Sequence, residues 1–206
     1  MCFAVKEEAR PFQKLAAERG DLNVILVGMG KRNAERAIRA ALAKERPRLV
    51  LTCGFAGGLR PDLALGTVVF AAGPDTGLES ALLAAGAKPA HFHCADGVAA
   101  TAEQKRALWK TTGAEAVEME SKVICAVCRE HKIPSATVRV ILDTANEDLP
   151  LDFNQLMTAD QKMNYGKLAL ALAKSPGKVR ALLRLQKRAE AAAGKLAEVL
   201  ARITEA

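Results

Sequence analysis

The chain has 206 residues, of which 50% are apolar and 26% charged; this balance predicts one globular domain and excludes fibrous and intrinsically disordered proteins. No apolar run is long enough to cross a bilayer, which excludes a membrane-spanning protein. The formal net charge of +7 leaves a nucleic acid, an anionic membrane surface and an anionic substrate open as partners, but only 4% of the residues are aromatic, which disfavours base stacking on a nucleic acid.

The first quarter of the chain predicts alternating strands and helices. Short apolar runs rich in Val, Ile and Leu predict strands, and the amphipathic stretches between them predict helices. In chain order we expect a strand at residues 1–5, a helix at 7–19, a strand at 23–28, a helix at 33–44 and a strand at 49–53. This order predicts an α/β fold, a three-layer α/β/α sandwich whose mixed central sheet is mostly parallel.

The rest of the chain continues the alternation and ends in helices. We expect a glycine-rich loop at 54–59, a strand at 67–71, a short helix at 75–86, strands at 89–95, 116–119 and 136–142, and helices at 101–111 and 121–131. Two helices follow at 156–174 and 179–203, with Ser175-Pro176 as the start signal of the second. Residues 1–206 thus form one predicted domain, in which 151–206 is a C-terminal helical extension packed on it.

The candidate site residues follow predicted strands, where open α/β sheets bind their ligands. The segments are Lys6–Glu8, Gly28–Gly30, Gly54–Gly58, Val117–Glu120 and Asp143. Singly, each also has a structural interpretation, because acids at a helix start complement the dipole and glycines after a strand form tight turns. A dinucleotide site is disfavoured, because Asn33 stands where the third glycine of that motif belongs.

Together, in this order and spacing, the segments resemble the nucleoside phosphorylase and nucleosidase superfamily, which includes methylthioadenosine/adenosylhomocysteine nucleosidase. Four stretches carry the resemblance over about residues 1–146: 3–8, 28–31, 52–69 and 116–143, with a gap before Val117. The Glu-Met-Glu sequence followed by Arg-Val-Ile-Leu-Asp is the most specific element. The resemblance implies cleavage of the N-glycosidic bond of a purine nucleoside, a homo-oligomer, and neither a metal nor an organic cofactor.

The resemblance also implies roles for individual residues. Breaking an N-glycosidic bond builds positive charge on the ribose and negative charge on the base, so the site needs an acid at the base and carboxylates near the sugar. Asp143 matches the residue that protonates or hydrogen-bonds the purine N7, and Glu8 the carboxylate that activates water. The substrate-binding positions implied by the match are Met119 on the sugar, Glu120 on the ribose hydroxyls, Gly54 and Phe55 after the third strand, and Val98 and Ala99 beside the base.

The sequence leaves open whether water or inorganic phosphate accepts the sugar when the glycosidic bond breaks. Thr52 and Phe55 stand where the phosphorylases carry phosphate ligands, which favours water, while Arg32, Arg36 and Arg60 leave inorganic phosphate open as a co-substrate. Leu142 stands where the nucleosidases have Ser, which makes the predicted base pocket less polar. A nucleoside-binding protein without activity is the alternative outside enzymes, and the retention of Glu8, Glu120 and Asp143 argues against it.

The middle and the tail of the chain carry a narrower resemblance. Residues 101–107 and 175–185 resemble the hopanoid-associated nucleosidase or phosphorylase, which implies adenosylhopane as substrate and adenine as product. Seven basic residues in the tail add a weak peripheral contact with an anionic membrane as a hypothesis. Five cysteines and no apolar leader predict reduced thiols and a cytoplasmic protein, with the inner membrane surface as an alternative location. Cys125 and Cys128 are predicted to be buried thiols, not metal ligands.

Overall fold

The structure is a computed structural model that describes residues 1–17, 19–158, 160–175 and 177–205, without the side chains of Lys174 and Glu205. The predicted start signal Ser175-Pro176 lies partly outside the described residues, because it includes Pro176. The strands are β1 (Cys2–Phe3), β2 (Ile25–Leu26), β3 (Val50–Gly58), β4 (Val68–Ala72), β5 (Lys88–Pro89), β6 (Phe92–Cys94), β7 (Ala116–Glu118) and β8 (Ser135–Asp143).

One mixed sheet organises the fold. Its strand order is β2-β1-β3-β8-β4-β5, with β7 on the end of β3 and β6 on β7. Five of the seven pairings in the described chain are parallel, and β3–β7 and β4–β8 are antiparallel. This topology confirms the predicted three-layer fold with its mixed, mostly parallel sheet.

Helices cover both faces of the sheet. They are α1 (Lys6–Leu15), α2 (Lys31–Leu42), α3 (Glu79–Ala84), α4 (Ala102–Thr112), α5 (Ser121–Glu130), α6 (Phe153–Leu156), α7 (Tyr165–Lys174) and α8 (Gly177–Glu205). Successive strand side chains alternate between the faces: Leu51 packs with α1, α3 and α8, whereas Val50 packs with α2 and α5. Among the helices of the described residues, none combines the length and apolar character needed to cross a bilayer.

Only half of α8 belongs to the core. Leu196 and Leu200 near its C-terminal end are fully buried, and each such leucine contributes about 1.5–3 kcal/mol to the free energy of folding. Towards the start of the helix, Val179 is 39% and Leu183 54% exposed. The apolar side chains of α8 are therefore buried only in its second half.

Three predicted elements are wrong in detail. Residues 54–58 are not a loop, because β3 continues to Gly58 and pairs there with β7 and β8. The helix predicted at 156–174 is two helices: a bridge between Met157 and Met163 interrupts it, and the Asn164 side chain accepts the Lys167 N–H to start α7. The strand predicted at 89–95 is β5 and β6, because β5 pairs with β4 while β6 pairs with β7.

Candidate active site

The carboxyl ends of β3 and β8 form the framework of the site. In their parallel register Gly54 lies opposite Arg139, and Gly57 lies opposite Asp143, past an irregularity between Ala56 and Gly57. The start of α1 contributes Glu8, and the junction between β7 and α5 contributes Glu120. The topology thus brings side chains from four distant parts of the sequence to one end of the sheet.

Glu8 is held in a fixed position in the first turn of α1. Its Oε2 accepts the N–H groups of Ala4 at 3.0 Å and Val5 at 3.2 Å, and its Oε1 accepts the N–H of Phe55 at 2.8 Å. A Cβ at Gly54 would lie 2.5 Å from Glu8 Oε1, so only glycine leaves room for the carboxylate. Burial raises the pKa of Glu8, although Arg139 and the three N–H groups oppose the rise.

Arg139 is a buried cation among carboxylates. One guanidinium nitrogen, Nη2, donates to Thr52 Oγ1 at 2.9 Å and to Glu118 Oε2 at 2.8 Å, and it lies 3.7 Å from Glu120 Oε2. At the start of α5, Ser121 donates two hydrogen bonds to Glu118, one from its N–H at 2.7 Å and one from its hydroxyl at 2.6 Å. Burial opposes ionisation of Glu118, but Arg139 and Ser121 outweigh it and lower the pKa of this carboxyl.

Glu120 lies beside Arg139, but its carboxylate has fewer hydrogen-bond donors than that of Glu118. Its Oε1 accepts the N–H of Gly30 at 2.7 Å, and Gly30, with φ of 78°, adopts a conformation that glycine tolerates best. Burial, together with the charges of Glu118 and Glu8, raises the pKa of Glu120 to about 7, against the effects of Arg139 and Gly30. This carboxyl therefore titrates near neutral pH.

Asp143 ends β8 and is paired with a buried lysine. Lys105 of α4 is fully buried, and its Nζ forms an ion pair with Asp143 Oδ2. Burial raises the pKa of Asp143, and Lys105 limits the rise. A Cβ at Gly57 would lie 3.3 Å from Asp143 Oδ2, which is tighter than an ordinary contact, so glycine also gives this carboxylate its space.

The other predicted substrate-binding residues come from β3, from the junction between β7 and α5, and from the loop before α4. Met119 is half-buried between β7 and Glu120, and Phe55 is half-buried against the core. Val98 is fixed to α6, because the Asn154 amide accepts its N–H at 2.8 Å and donates to its C=O at 2.8 Å. Ala99 packs beside the small apolar cluster that contains Leu59, Ala114 and Val117.

The sequence analysis assigned no role to three charged residues of the site: Lys105, Glu118 and Arg139. Arg139 did carry a signal, because a charged residue inside a strand of Val, Ile and Leu is buried only when it is paired. Lys105 carried none, since lysines on helices normally face water. The arginines considered for phosphate are engaged elsewhere or exposed: Arg60 Nε donates to Asp62 at 2.6 Å, Arg36 Nη2 to Asn33 at 3.2 Å, and Arg32 is exposed.

No cluster of three or more His, Cys, Asp or Glu side chains within the described ranges is arranged to hold a metal ion. Cys128 is buried and Cys125 half-buried, and both thiols are free. His91 is exposed and lies 3.3 Å from Glu115. The prediction that both cysteines are buried is therefore confirmed for Cys128, whereas Cys125 is more exposed than predicted.

Comparisons with known proteins agree with this architecture. The 5'-methylthioadenosine/S-adenosylhomocysteine nucleosidase of Shewanella sediminis is 26% identical in an alignment that covers 66% of this chain and 74% of the relative. That of Anoxybacillus flavithermus is 28% identical, with the same coverage of 66% and 74%.

Solved structures share the whole fold. The futalosine hydrolase of Helicobacter pylori superposes with a TM-score of 0.72 at 17% identity, over 99% of this chain and 95% of that protein. The H. pylori methylthioadenosine/adenosylhomocysteine nucleosidase, solved with butyl-thio-DADMe-Immucillin-A, gives 0.73 at 17% identity, over 99% and 96%. The sequence profile described as "Phosphorylase superfamily" matches residues 4–93 and 78–174. Since the profile spans most of the chain, including every carboxylate described above, this protein belongs to the phosphorylase superfamily.

Proposed function

We propose that this protein hydrolyses the N-glycosidic bond of a purine nucleoside and releases the base, with adenine as the base we expect. Its nucleosidase relatives and its family place it among the enzymes of this class. The observation that supports the proposal most strongly is the arrangement of Glu8, Glu120 and Asp143. These are three buried carboxyl groups, of which two lie around Arg139 and the third lies at the end of β8, opposite Gly57 of β3.

The part of the site around Glu8 and Arg139 is suited to binding the ribose of the substrate. Positive charge develops on the ribose as the bond breaks, and carboxylates there stabilise it. We assign Glu120 to the ribose hydroxyls, Met119 to the sugar face and Glu8 to the attacking water. Glu8 fits a general base because its raised pKa makes it a better proton acceptor than an exposed carboxylate.

The Asp143 end is suited to the base. Glu8 lies next to Gly54 and Asp143 next to Gly57, two positions of β3 that are three residues, roughly 10 Å, apart along the strand. A water molecule, the sugar carbon and the five-membered ring of a purine fit within such an offset. We assign Asp143 to proton donation at N7, with Phe55, Val98 and Ala99 beside the base.

The charge of the site favours water over phosphate as the acceptor. Arg139 has Glu8, Glu118 and Glu120 in its field, so a phosphate dianion would enter a region that already holds more carboxylates than cations. A buried phosphate requires several charged or N–H donors, whereas Arg60 is paired with Asp62.

The substrate's 5' end is the finer part of the proposal. The resemblance to the hopanoid-associated subgroup suggests a lipid there, as in adenosylhopane. Exposed side chains of α7 and α8 support this. Tyr165 of α7 is 76% and Leu170 56% exposed, and on α8 the 54% exposed Leu183 is followed by the exposed Arg184. Exposed apolar and basic side chains on a helix suit an anionic lipid surface.

A panel of adenine nucleosides, incubated with the protein with and without phosphate, tests the function. We expect free adenine and free ribose, or its 5'-substituted form, at a rate that does not depend on phosphate. Adenine release only in the presence of phosphate would establish phosphorolysis. Tight binding without cleavage of any member would support the nucleoside-binding alternative.

A further inference from the structure

Lys105 occupies a position that few lysines occupy. Its side chain is fully buried, on a helix whose neighbouring Arg106 and Lys110 are exposed. Its Nζ donates to the C=O of Thr144 at 2.9 Å and of Glu147 at 2.8 Å, and it forms the ion pair with Asp143. A charged ammonium has three N–H donors: the two carbonyls accept two of them, and the third is left for Asp143 Oδ2, a buried oxygen that has no other hydrogen-bond partner among the described residues.

The same three neighbours also suit the neutral amine. A neutral lysine has two N–H donors and one lone pair. The carbonyls of Thr144 and Glu147 accept the two donors, and the lone pair faces Asp143 Oδ2, where it can accept a hydrogen bond from a protonated carboxyl. A proton can therefore move between Lys105 and Asp143 without leaving a buried donor or acceptor unpaired, which would cost about 1–3 kcal/mol.

We propose that Lys105 and Asp143 share one proton, and that Lys105 is a positioning residue that passes this proton to Asp143 for delivery to the purine. The inference rests on the proposed function and extends it to the proton source. In the resting pair the proton lies between Lys105 Nζ and Asp143 Oδ2. As the glycosidic bond breaks and its electron pair moves to the base, this proton moves fully onto Asp143 and from there to N7.

The proton balance closes over one turnover. Water adds its oxygen to the sugar carbon and loses one proton to Glu8. The pair, which has given one proton to the base, is left as a carboxylate and a neutral amine. Release of the proton from Glu8 to solvent and uptake of one by Lys105 restore the starting state, so the net reaction is nucleoside plus water to free base plus sugar.

Two further charges act on the pair. Glu147 raises and Arg188 lowers the pKa of Asp143. They are paired with each other, since Arg188 Nη1 lies 3.0 Å from Glu147 Oε2, so their effects largely offset. Neither of these two charges is therefore expected to dominate the pH dependence of Asp143.

The test compares pH profiles of kcat/KM for the wild type, K105M, K105R and the control K110M, which changes an exposed lysine on the same helix. Without Lys105, Asp143 must carry the proton alone, and activity falls as the pH rises through its pKa. The ratio of wild-type to K105M activity is expected to grow about tenfold for each pH unit above that pKa. K110M should follow the wild type.

K105R separates charge from proton sharing. Arginine keeps the positive charge and the donors but does not release its proton in this range. We expect K105R to lose activity at about pH 8 as K105M does. The proposal would be overturned if K105R had wild-type activity at this pH, or if K105M lost activity equally at every pH, which is also the effect expected of partial unfolding. It would be overturned as well if the activity of K105M fell at a higher pH than that of the wild type.

A second readout needs no turnover, and so remains decisive if the protein cleaves no nucleoside. The carboxyl carbon of Asp143 can be followed by NMR in the free protein. A shared proton gives a chemical shift between those of the ionised and protonated carboxyl, constant across neutral pH in the wild type and replaced by a simple titration in K105M. The shift of a fully ionised carboxylate in the wild type would contradict the sharing.

Discussion

Replacement of Gly54 by alanine should displace the proposed general base. The new Cβ would lie 2.5 Å from Glu8 Oε1 and 2.8 Å from Cδ, well inside contact distance, at a residue with φ of 149°. Glu8 must move, and its hydrogen bond from the Phe55 N–H is lost. A hydrogen bond to a charged group contributes about 1.5–3 kcal/mol, and a φ of 149°, which residues with a Cβ rarely adopt, adds about 1–3 kcal/mol of strain for alanine.

Gly77 offers a matched control. It also has a positive φ, 66°, but a Cβ there would meet nothing within 4 Å. Unfolding by denaturant should therefore show G77A losing about 1 kcal/mol and G54A an additional 1–3 kcal/mol. In the cleavage assay we expect G77A to match the wild type and G54A to lose about 10²-fold or more. If G54A and G77A have the same stability and activity, Gly54 does not make room for Glu8 and this reasoning is refuted.

Three further predictions follow from the site and the tail. D143N should keep the fold but lose about 10²- to 10⁴-fold in adenine release measured by absorbance, because an amide cannot donate the proton to N7; activity within a few-fold of the wild type would remove Asp143 from this role. The pKa of Glu120 is raised to about 7 and its ionised form binds the ribose hydroxyls, so kcat/KM should fall as the pH drops below that value. This fall at acid pH should be absent from the profile of E120Q. If E120Q still shows it, another group causes it. In sedimentation with liposomes at low salt the protein should bind anionic but not neutral vesicles, and R180E/R184E should weaken binding by about 1 kcal/mol for each positive charge lost; equal, negligible binding to both vesicle types would leave the basic tail as surface charge only.

The sheet was predictable because its strands and helices alternate with clear periodicity. The glycine run at 54–58 was predicted as a loop because glycine has no side chain to show a strand's alternation, and only the pairing of β3 with β7 and β8 keeps it extended. The interruption of the helix predicted at 156–174 depends on a bridge between Met157 and Met163 that local periodicity does not encode.

The site was predictable where its residues follow strands. Glu8, Glu120 and Asp143 all come from such positions, and the structure places each at the same end of the sheet. Lys105 could not be found this way, because its burial depends on the contact of α4 with the loop after β8, more than 35 residues away along the chain. Local sequence patterns describe one element at a time and do not contain such a contact.

The central claim is that water cleaves the glycosidic bond, and it is tested most directly by finding whether the oxygen of water enters the sugar product. The protein would cleave an adenine nucleoside in water labelled with heavy oxygen and in the presence of phosphate, and the sugar would be analysed by mass spectrometry. We predict a free sugar that carries one labelled oxygen, at a rate unchanged by phosphate. An unlabelled sugar 1-phosphate, formed at a rate that saturates with phosphate, would contradict the account.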